Sequence, residues 1–372
     1  MSSRVNFHSV IADNNIESGF QEYDVVDFTL SFPNRMISLN NIRLTGELQV
    51  TTDGATNVTN QHVQFDELVG AHSLFQSLQT QVKGQTIDNI FEYPRVVKMI
   101  TAATENPADM NNGSNLCELK APSQSIAEEC LRREKIPVQH TANVSRTCDF
   151  SVKPLIALNS VYGQRAFLPY SKSGDIRITC TLARVAAALF GVSVDANYQY
   201  KITDFRCEFM SYPDDGDMSP ILHKNRQLLK QSIESNSAQL NFNYPMVANT
   251  VYGSFLKQGN ENTPNANNTE LNKPPAVTEL NFFWNNTTNE YISYVMRSQA
   301  EILDYAIDAV GDTGHNSASI SKLAANNGYL VGVRMGENVD LMTTKISLEM
   351  NSSINNTDPH IFFLVAEGIG EL

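Results

Sequence analysis

The sequence predicts an all-β protein, and three observations carry that reading. Apolar and polar residues alternate in short runs, as in Val26-Asp27-Phe28-Thr29-Leu30-Ser31-Phe32, Ile176-Arg177-Ile178-Thr179-Cys180-Thr181-Leu182 and Ile346-Ser347-Leu348-Glu349-Met350. Successive side chains of a strand point to opposite faces, so each run marks a strand buried on one side. The runs stop at turn-forming clusters such as Thr51–Asn57, Lys83-Gly84 and Pro213–Asp217. Charged residues are only 18% of the chain, so Asn, Ser, Thr and Gln must supply much of the polar surface. Short uncharged polar residues suit turns between strands.

Size then divides the chain. At 372 residues it exceeds the roughly 250–300 at which a single core stops growing, so two domains are expected. The 41% of hydrophobic residues is enough for two ordinary cores. The formal net charge of −13 argues against wrapping nucleic acid through a general basic surface. The mixed charges between Lys120 and Lys135 read as a solvated helix face. Five cysteines (Cys117, Cys130, Cys148, Cys180 and Cys207) include no C-x-x-C pair, and Cys180 and Cys207 fall on the apolar phase of strands. Free buried thiols and a reducing compartment are expected. The start Met1–Phe7 lacks the apolar stretch of a secretory signal, and no run reaches the ~20 apolar residues of a membrane span. The sequons at Asn57 and Asn286 therefore read as turn composition.

The elements follow in order. Residues 1–20 read as an extended arm without a core of its own. Strands are expected near 24–32 and 42–51. A short helix or turn covers Phe65–Phe75, followed by strands Phe75–Val82 and Ile87–Phe91. Glu92–Ile100 reads as a helix with Pro94 tolerated in its first turn. Residues 104–115 form a long polar loop, and Ser125-Ile126-Ala127-Glu128 opens a helix to about Arg133 with a capping-box pattern. Strands resume near 147–155, at Ala166–Tyr170 and at 175–183. Tyr198–Lys201 opens the second half. A short helix is read at Ile221–Lys230 and a protruding loop at Gly259–Pro275. Strands are expected at Val277–Trp284, Tyr291–Met296, Ala300–Ile307, Tyr329–Arg334, Leu341–Met350 and His360–Glu367, with a helix at Ser317–Ala325.

Roughly seven or eight strands fall in each half, with helices lodged in long loops, and the two halves run loosely parallel in order. Eight strands in two facing sheets is the jelly-roll count. An immunoglobulin-like sandwich or a small barrel is the alternative for a half of this size. The fold expected is two tandem eight-stranded jelly rolls with short helices in the loops. The divisions are an arm at 1–20, a first roll at 21–197 and a second at 198–372.

Catalytic signatures are absent from the sequence. It holds no H-E-x-x-H, G-x-S-x-G, Walker or G-x-G-x-x-G pattern, and its seven histidines are scattered singly. Cys117, Cys130 and His140 lack zinc spacing. A Cys148–His140 nucleophile pair has little support, because nothing near Cys148 would lower its pKa. Asp214-Asp215-Gly216-Asp217 lacks the register and closing Glu of a calcium loop and reads as a turn. The single Trp284 reads as a rim-of-core residue rather than a sugar platform. No catalytic, metal or cofactor residue is assigned, and the chain is read as a non-enzyme.

Two passages resemble the double jelly-roll major capsid proteins of the adenovirus–tectivirus lineage, which includes those of virophages. One is Gly70-Ala71-His72-Ser73-Leu74-Phe75 leading through Gly84-Gln85-Thr86-Ile87-Asp88 to Tyr93-Pro94. There Asp88 stands where Glu is commoner in the family. The other is Phe150-Ser151-Val152-Lys153-Pro154-Leu155, then Phe167-Leu168-Pro169, then Asp175-Ile176-Arg177-Ile178. The resemblance is one of pattern and order over nearly the whole chain. It implies a homotrimer forming a pseudo-hexagonal capsomer in an icosahedral virion, made in the host cytoplasm or nucleus. Its implied partners are neighbouring capsomers, penton and minor capsid proteins and, in shells that enclose one, an inner membrane. It implies no sequence-specific nucleic-acid binding. Long loops would face outward and the termini inward. The alternatives are a jelly-roll spike that binds a receptor or glycan, and an enzyme on a cupin-like scaffold. The loops at 104–115, 259–275 and 310–318 are poor in aromatics, which disfavours the spike.

Overall fold

The computed structural model describes residues 4–14, 16–52, 62–104, 117–120, 136–140, 147–162, 166–191, 198–285, 290–311 and 328–372. Its strands are β1 (Asn6–Ile11), β2 (Val25–Leu30), β3 (Arg35–Ser38), β4 (Arg43–Thr52), β5 (His62–Val63), β6 (Phe75–Val82), β7 (Gln85–Phe91), β8 (Ile136–Pro137), β9 (Gln139–His140), β10 (Cys148–Val152), β11 (Val161–Tyr162), β12 (Phe167–Pro169), β13 (Ile176–Leu182) and β14 (Tyr198–Pro213). The second half adds β15 (Leu222–Ile233), β16 (Ser237–Phe242), β17 (Val247–Lys257), β18 (Glu279–Asn285), β19 (Tyr291–Met296), β20 (Val331–Asp340), β21 (Ile346–Asn351) and β22 (His360–Glu371). The longer helices are Tyr93–Thr104 and Gln299–Val310.

These strands build two jelly rolls of one plan. In the second roll, β15-β22-β17-β20 faces β16-β21-β18-β19. In the first, β1-β14-β4-β10 faces β2-β13-β6-β7, with β3, β12 and β9 added beside the larger sheet. The two orders are the same when strands are matched by position. The helices Tyr93–Thr104 and Gln299–Val310 also occupy equivalent places, after β7 and after β19. The loose parallel between the halves is thus a duplication of topology.

Alternation does what its period demands. Along β4, Leu44, Leu48 and Val50 point inward, while Arg43, Glu47 and Gln49 are only partly covered. β22 breaks the rule: His360–Ala366 is buried throughout. Its sheet is covered on both faces, so no residue there has a solvent side. Phe362, Leu364 and Ala366 face the core between the second roll's sheets. Ile361, Phe363 and Val365 face the core of the first roll, together with Leu228, Tyr252 and Leu256.

Four expectations are corrected. The arm at 1–20 is not free: β1 pairs with β14 from Asn6↔Ser211 to Ile11↔Arg206, and Ala12 and Phe20 are buried. The boundary at 197/198 falls one strand early, because β14 pairs with β4 from Tyr198↔Thr52 to Glu208↔Arg43 and closes the first roll. Ile221–Lys230 is not a helix: β15 pairs with β22 over twelve positions. Ala300–Ile307 is not a strand but part of the helix Gln299–Val310. Ser298 Oγ accepts from Glu301 N at 3.2 Å, and Glu301 accepts from Ser298 N at 3.2 Å. That capping box, with Ile302, Leu303, Ala306, Ala309 and Val310 on one buried face, selects helix. The loop at 105–115, the helices at 125–133 and 317–325, Cys130, and the sequons at Asn57 and Asn286 lie outside the described residues.

The start of β1 and the end of β22 lie at one end of the molecule. Ile221 and Leu372 exchange backbone hydrogen bonds of 3.0 and 2.8 Å, and Asn6 pairs with Ser211 close to the end of β14. Lys257, paired with His360, marks the opposite end.

Candidate functional site at the junction of the two rolls

The densest buried polar chemistry lies inside and behind the first roll and along the face it shares with the second. It starts at Gly70, whose φ of +59° favours glycine. Any Cβ there would strike the Glu118 carbonyl oxygen, which accepts from Ala71 N at 2.8 Å. This bend seats His72 against Tyr93, with Nδ1 2.7 Å from the phenolic oxygen. Tyr93 Oη also accepts from Leu155 N at 2.9 Å, so its own proton is left for His72 Nδ1. His72 Nε2 then faces Glu118 Oε2 at 3.3 Å, and Lys120 Nζ lies 3.0 Å from the same oxygen. Burial pushes the Glu118 carboxyl up, but His72, Lys120 and the Lys153 amide outweigh it and hold it well below the usual carboxylate range. The two passages that carried the family resemblance therefore meet here. Asp88 strengthens the same joint by accepting from Ala157 N. Burial raises its carboxyl to about 6, against the pull of the Ala157 and Thr80 amides.

Four charged contacts then cross to the second roll. Arg226 of β15 donates to Glu367 of β22 at 2.6 Å and to Ser160 Oγ of the first roll at 3.1 Å. Lys224 adds a 2.8 Å contact to Glu367. In the middle, the Arg95 guanidinium lies 3.8 Å over the Phe363 ring and donates to the carbonyls of Asn268 and Glu270. Burial lowers Arg95 to about 10, still charged at neutral pH. Lys230 bridges Glu92 at 3.1 Å and Glu261 at 2.8 Å. Finally, Asp66 accepts from Lys98 Nζ at 2.7 and 2.8 Å, from Leu68 N at 2.9 Å and from Asn267 Nδ2 at 2.6 Å. Burial opposes ionisation of Asp66, yet Lys98 and Asn267 hold its carboxyl below its ordinary range.

The expected protruding loop at Gly259–Pro275 is part of this joint. Thr269, Leu271 and Asn272 are buried, and Gly191 N donates to Pro264 O at 3.2 Å. Asn267, Asn268 and Glu270 reach back to the first roll, so an Asn-rich composition here makes contacts rather than projecting into solvent.

The weaker candidates resolve as structure. Trp284 is 2% exposed and stacked on Tyr294 at 5.4 Å, so it offers no platform to a sugar. Asp214, Asp215 and Asp217 each accept a backbone N–H two residues on, closing turns. Cys180 and Cys207 are buried free thiols pushed up by burial, Cys148 is partly buried, and Cys117 is exposed. His140 falls in β9, beside β4. Among the described residues, no group of three His, Cys, Asp or Glu side chains could hold a metal. What the junction can do is set the angle between two rolls.

No protein-family model matches the chain, and no curated protein matches it in sequence. Solved structures match it along its whole length. The Faustovirus major capsid protein shares 9% identity over 100% of this chain and 90% of its own, with a TM-score of 0.64. A chain of the Sputnik virophage shares 11% over 99% of this chain and 86% of its own, with a TM-score of 0.60. The mavirus major capsid protein shares 9% over 98% and 90%, with a TM-score of 0.55. The fold of this chain is the double jelly roll of those viral proteins.

Proposed function

We propose that this chain is a major capsid protein, a structural subunit whose homotrimers form pseudo-hexagonal capsomers that tile an icosahedral shell. The observation that carries the reading is one strand order built twice, with the two copies locked across a shared buried face. Three copies of two like rolls present six similar wedges around an axis, and closed symmetry is how such subunits associate. The whole-length likeness in fold to viral capsid proteins supports the same reading. So does the polarity of the molecule, with the start of β1 and the end of β22 at one end, which the reading places toward the interior of the virion. The functional division is a first roll at 4–213 and a second at 221–372. Partners are two further copies, neighbouring capsomers, penton and minor capsid proteins and, in shells that enclose one, a membrane. The site of synthesis is the host cytoplasm or nucleus. The acidic body leaves genome contact to other components, and the chain acts without catalysis.

Native mass spectrometry and negative-stain microscopy of the purified chain test this. A stable trimer with a hexagonal outline is expected. A monomer at micromolar concentration, or a threefold particle with an open three-lobed outline, would overturn the reading.

A further inference from the structure

We propose that β1 is fastened to the first roll by a pH-sensitive clasp, so that mild acid releases this strand while the rest of its sheet stays closed. Its apolar hold is slight. Among the described residues β1 has one hydrogen-bonded neighbour, β14, with six register pairs, and touches β2 only lightly. Phe7 and Ile11 point outward, 63% and 50% exposed, and only His8 and Val10 turn inward, each half-buried. An edge strand with so little buried area depends on its polar contacts.

Those contacts converge on Ser211. Arg35 of β3 donates from Nε to Ser211 Oγ at 2.7 Å and from Nη2 to Ser211 O at 2.9 Å. The same Nη2 donates to Arg4 O at 2.7 Å, tying down the residues just before β1. His8 Nε2 lies 2.8 Å from Ser211 Oγ, and its ring stacks on Phe209 at 4.5 Å with planes 6° apart. Arg35 takes one lone pair of Ser211 Oγ, Ser211 is fully buried, and His8 Nε2 is the one acceptor recorded for its hydroxyl among the described residues, so the tautomer that accepts the Ser211 proton is the one that leaves no buried O–H unpaired. The clasp therefore uses the unprotonated nitrogen of a neutral imidazole. Protonation puts N–H against O–H and a second cation beside Arg35.

Among the described residues no carboxylate is placed to compensate: β2 also packs against β1, but its Asp27 is engaged by Arg177 and Thr179. On β14, Glu208 is register-paired with Ser9 and so lies on the opposite face. Cys207, paired with Val10 on the same face as His8, is a buried thiol pushed up by burial and so uncharged. From β3 comes the cation Arg35. Burial and then Arg35 hold His8 below its ordinary value of 6.5. The sign follows: the released strand binds its proton more readily than the docked one. Docking is strongest above the ordinary value and weakens as pH falls below it.

The opening is bounded. Ala12 is buried, Asp13 Oδ2 accepts from Thr29 Oγ1 at 2.6 Å, and Asn14 Nδ2 donates to Val25 O at 2.6 Å. β1 thus swings as a flap about 12–14, exposing the β14 edge.

Hydrogen exchange on the full-length protein tests this, with amides of Asn6–Ile11 compared between pH 7.5 and 5.0 after correction for intrinsic exchange. The β14–β4 ladder serves as reference. Protection of β1 is expected to fall on the order of three- to tenfold relative to that ladder. His8→Gln keeps an acceptor for Ser211, and His8→Phe keeps the stack on Phe209; neither titrates, and both are expected to lose the extra pH dependence. An equal fall in wild type and both variants, or no fall in wild type, would overturn the clasp.

Discussion

Lys98→Met is the sharpest probe of the junction. It swaps a buried ammonium for an apolar chain of similar length and leaves Asp66 alone. Both side chains are almost fully buried, at 2% and 1% exposure. Asp66 would keep only two neutral donors, Leu68 N and Asn267 Nδ2. Removing one partner of a buried pair costs about 3–5 kcal/mol. A ceiling comes from protonation, since the stranded carboxyl can take a proton instead. From its ordinary 3.8 to pH 7 that costs about 4 kcal/mol, at about 1.4 kcal/mol per unit. The ceiling makes the penalty depend on pH. In wild type the depressed Asp66 pKa gives stability that is full above 3.8 and is lost as pH falls through the lower folded value. In the variant a raised pKa makes the folded state gain stability as pH falls. The penalty should therefore shrink by up to about 1.4 kcal/mol per unit from pH 7 to 5. Urea unfolding followed by circular dichroism, with Trp284 fluorescence reporting the second roll, measures it. A penalty under about 1 kcal/mol at pH 7, or one that does not change with pH, would refute the account of Asp66 as a charge that Lys98 compensates.

Asp88→Asn keeps an acceptor for Ala157 N and removes a carboxyl that burial raises to about 6. A raised acid weakens the fold as pH climbs from 3.8 through 6, so the variant should match or exceed wild type at pH 7.5, by at most about 3 kcal/mol, and keep only about half of that advantage at pH 5; chemical denaturation at both pH values decides. Leu271→Ala should cost about 2–5 kcal/mol, because the side chain is fully buried in the joint between rolls. Replacing 262–272 by a Gly/Ser linker should cost more still, and a linker variant as stable to heat as wild type would show that the segment is only a surface loop. Deleting residues 1–11 should raise aggregation through the uncovered β14 edge, read by light scattering at neutral pH.

The period-2 strands were legible because each has one wet and one dry face. Phe75–Val82 and Tyr291–Met296 lie where the alternation places them. The misreadings share a physical cause. In β15, Arg226 is buried beneath Glu367, so a charge stands on the inward phase and the pattern looks helical. In Gln299–Val310 the adjacent Ile302 and Leu303 resemble a strand until the cap at Ser298 is noticed. β1 read as an arm because Phe7 and Ile11 are apolar on the exposed side, which inverts the usual signal. At the junction, the sequence marks Gly70, Asp88 and Tyr93 by pattern but not by partner. Arg226 and Glu367 are 141 residues apart, and nothing local pairs them. Two hints were available: Arg95 and Lys98 sit within an apolar helix, and Ile361–Ala366 has no polar phase. A buried cation needs a partner, and a strand with no wet face needs a layer on each side.

The shared face also explains why it is charged at all. Ile361, Phe363 and Val365 supply the apolar adhesion between rolls, and adhesion alone leaves two flat layers free to slide. Buried ion pairs add little net stability, because desolvation offsets most of their attraction. They do penalise every arrangement in which a charge loses its partner. Here they stand toward opposite ends of the face, Arg226 with Glu367 and Ser160 on the side of the chain ends, and Asp66 with Lys98 and Asn267 near the loop beyond β17, with Arg95 over Phe363 between them. Two separated fixed points and a central one define an angle, where a single one would leave a pivot. On the proposed reading, in which the two rolls stand in for two of six positions in a ring, that angle must be held, since any error in it would be repeated in every copy.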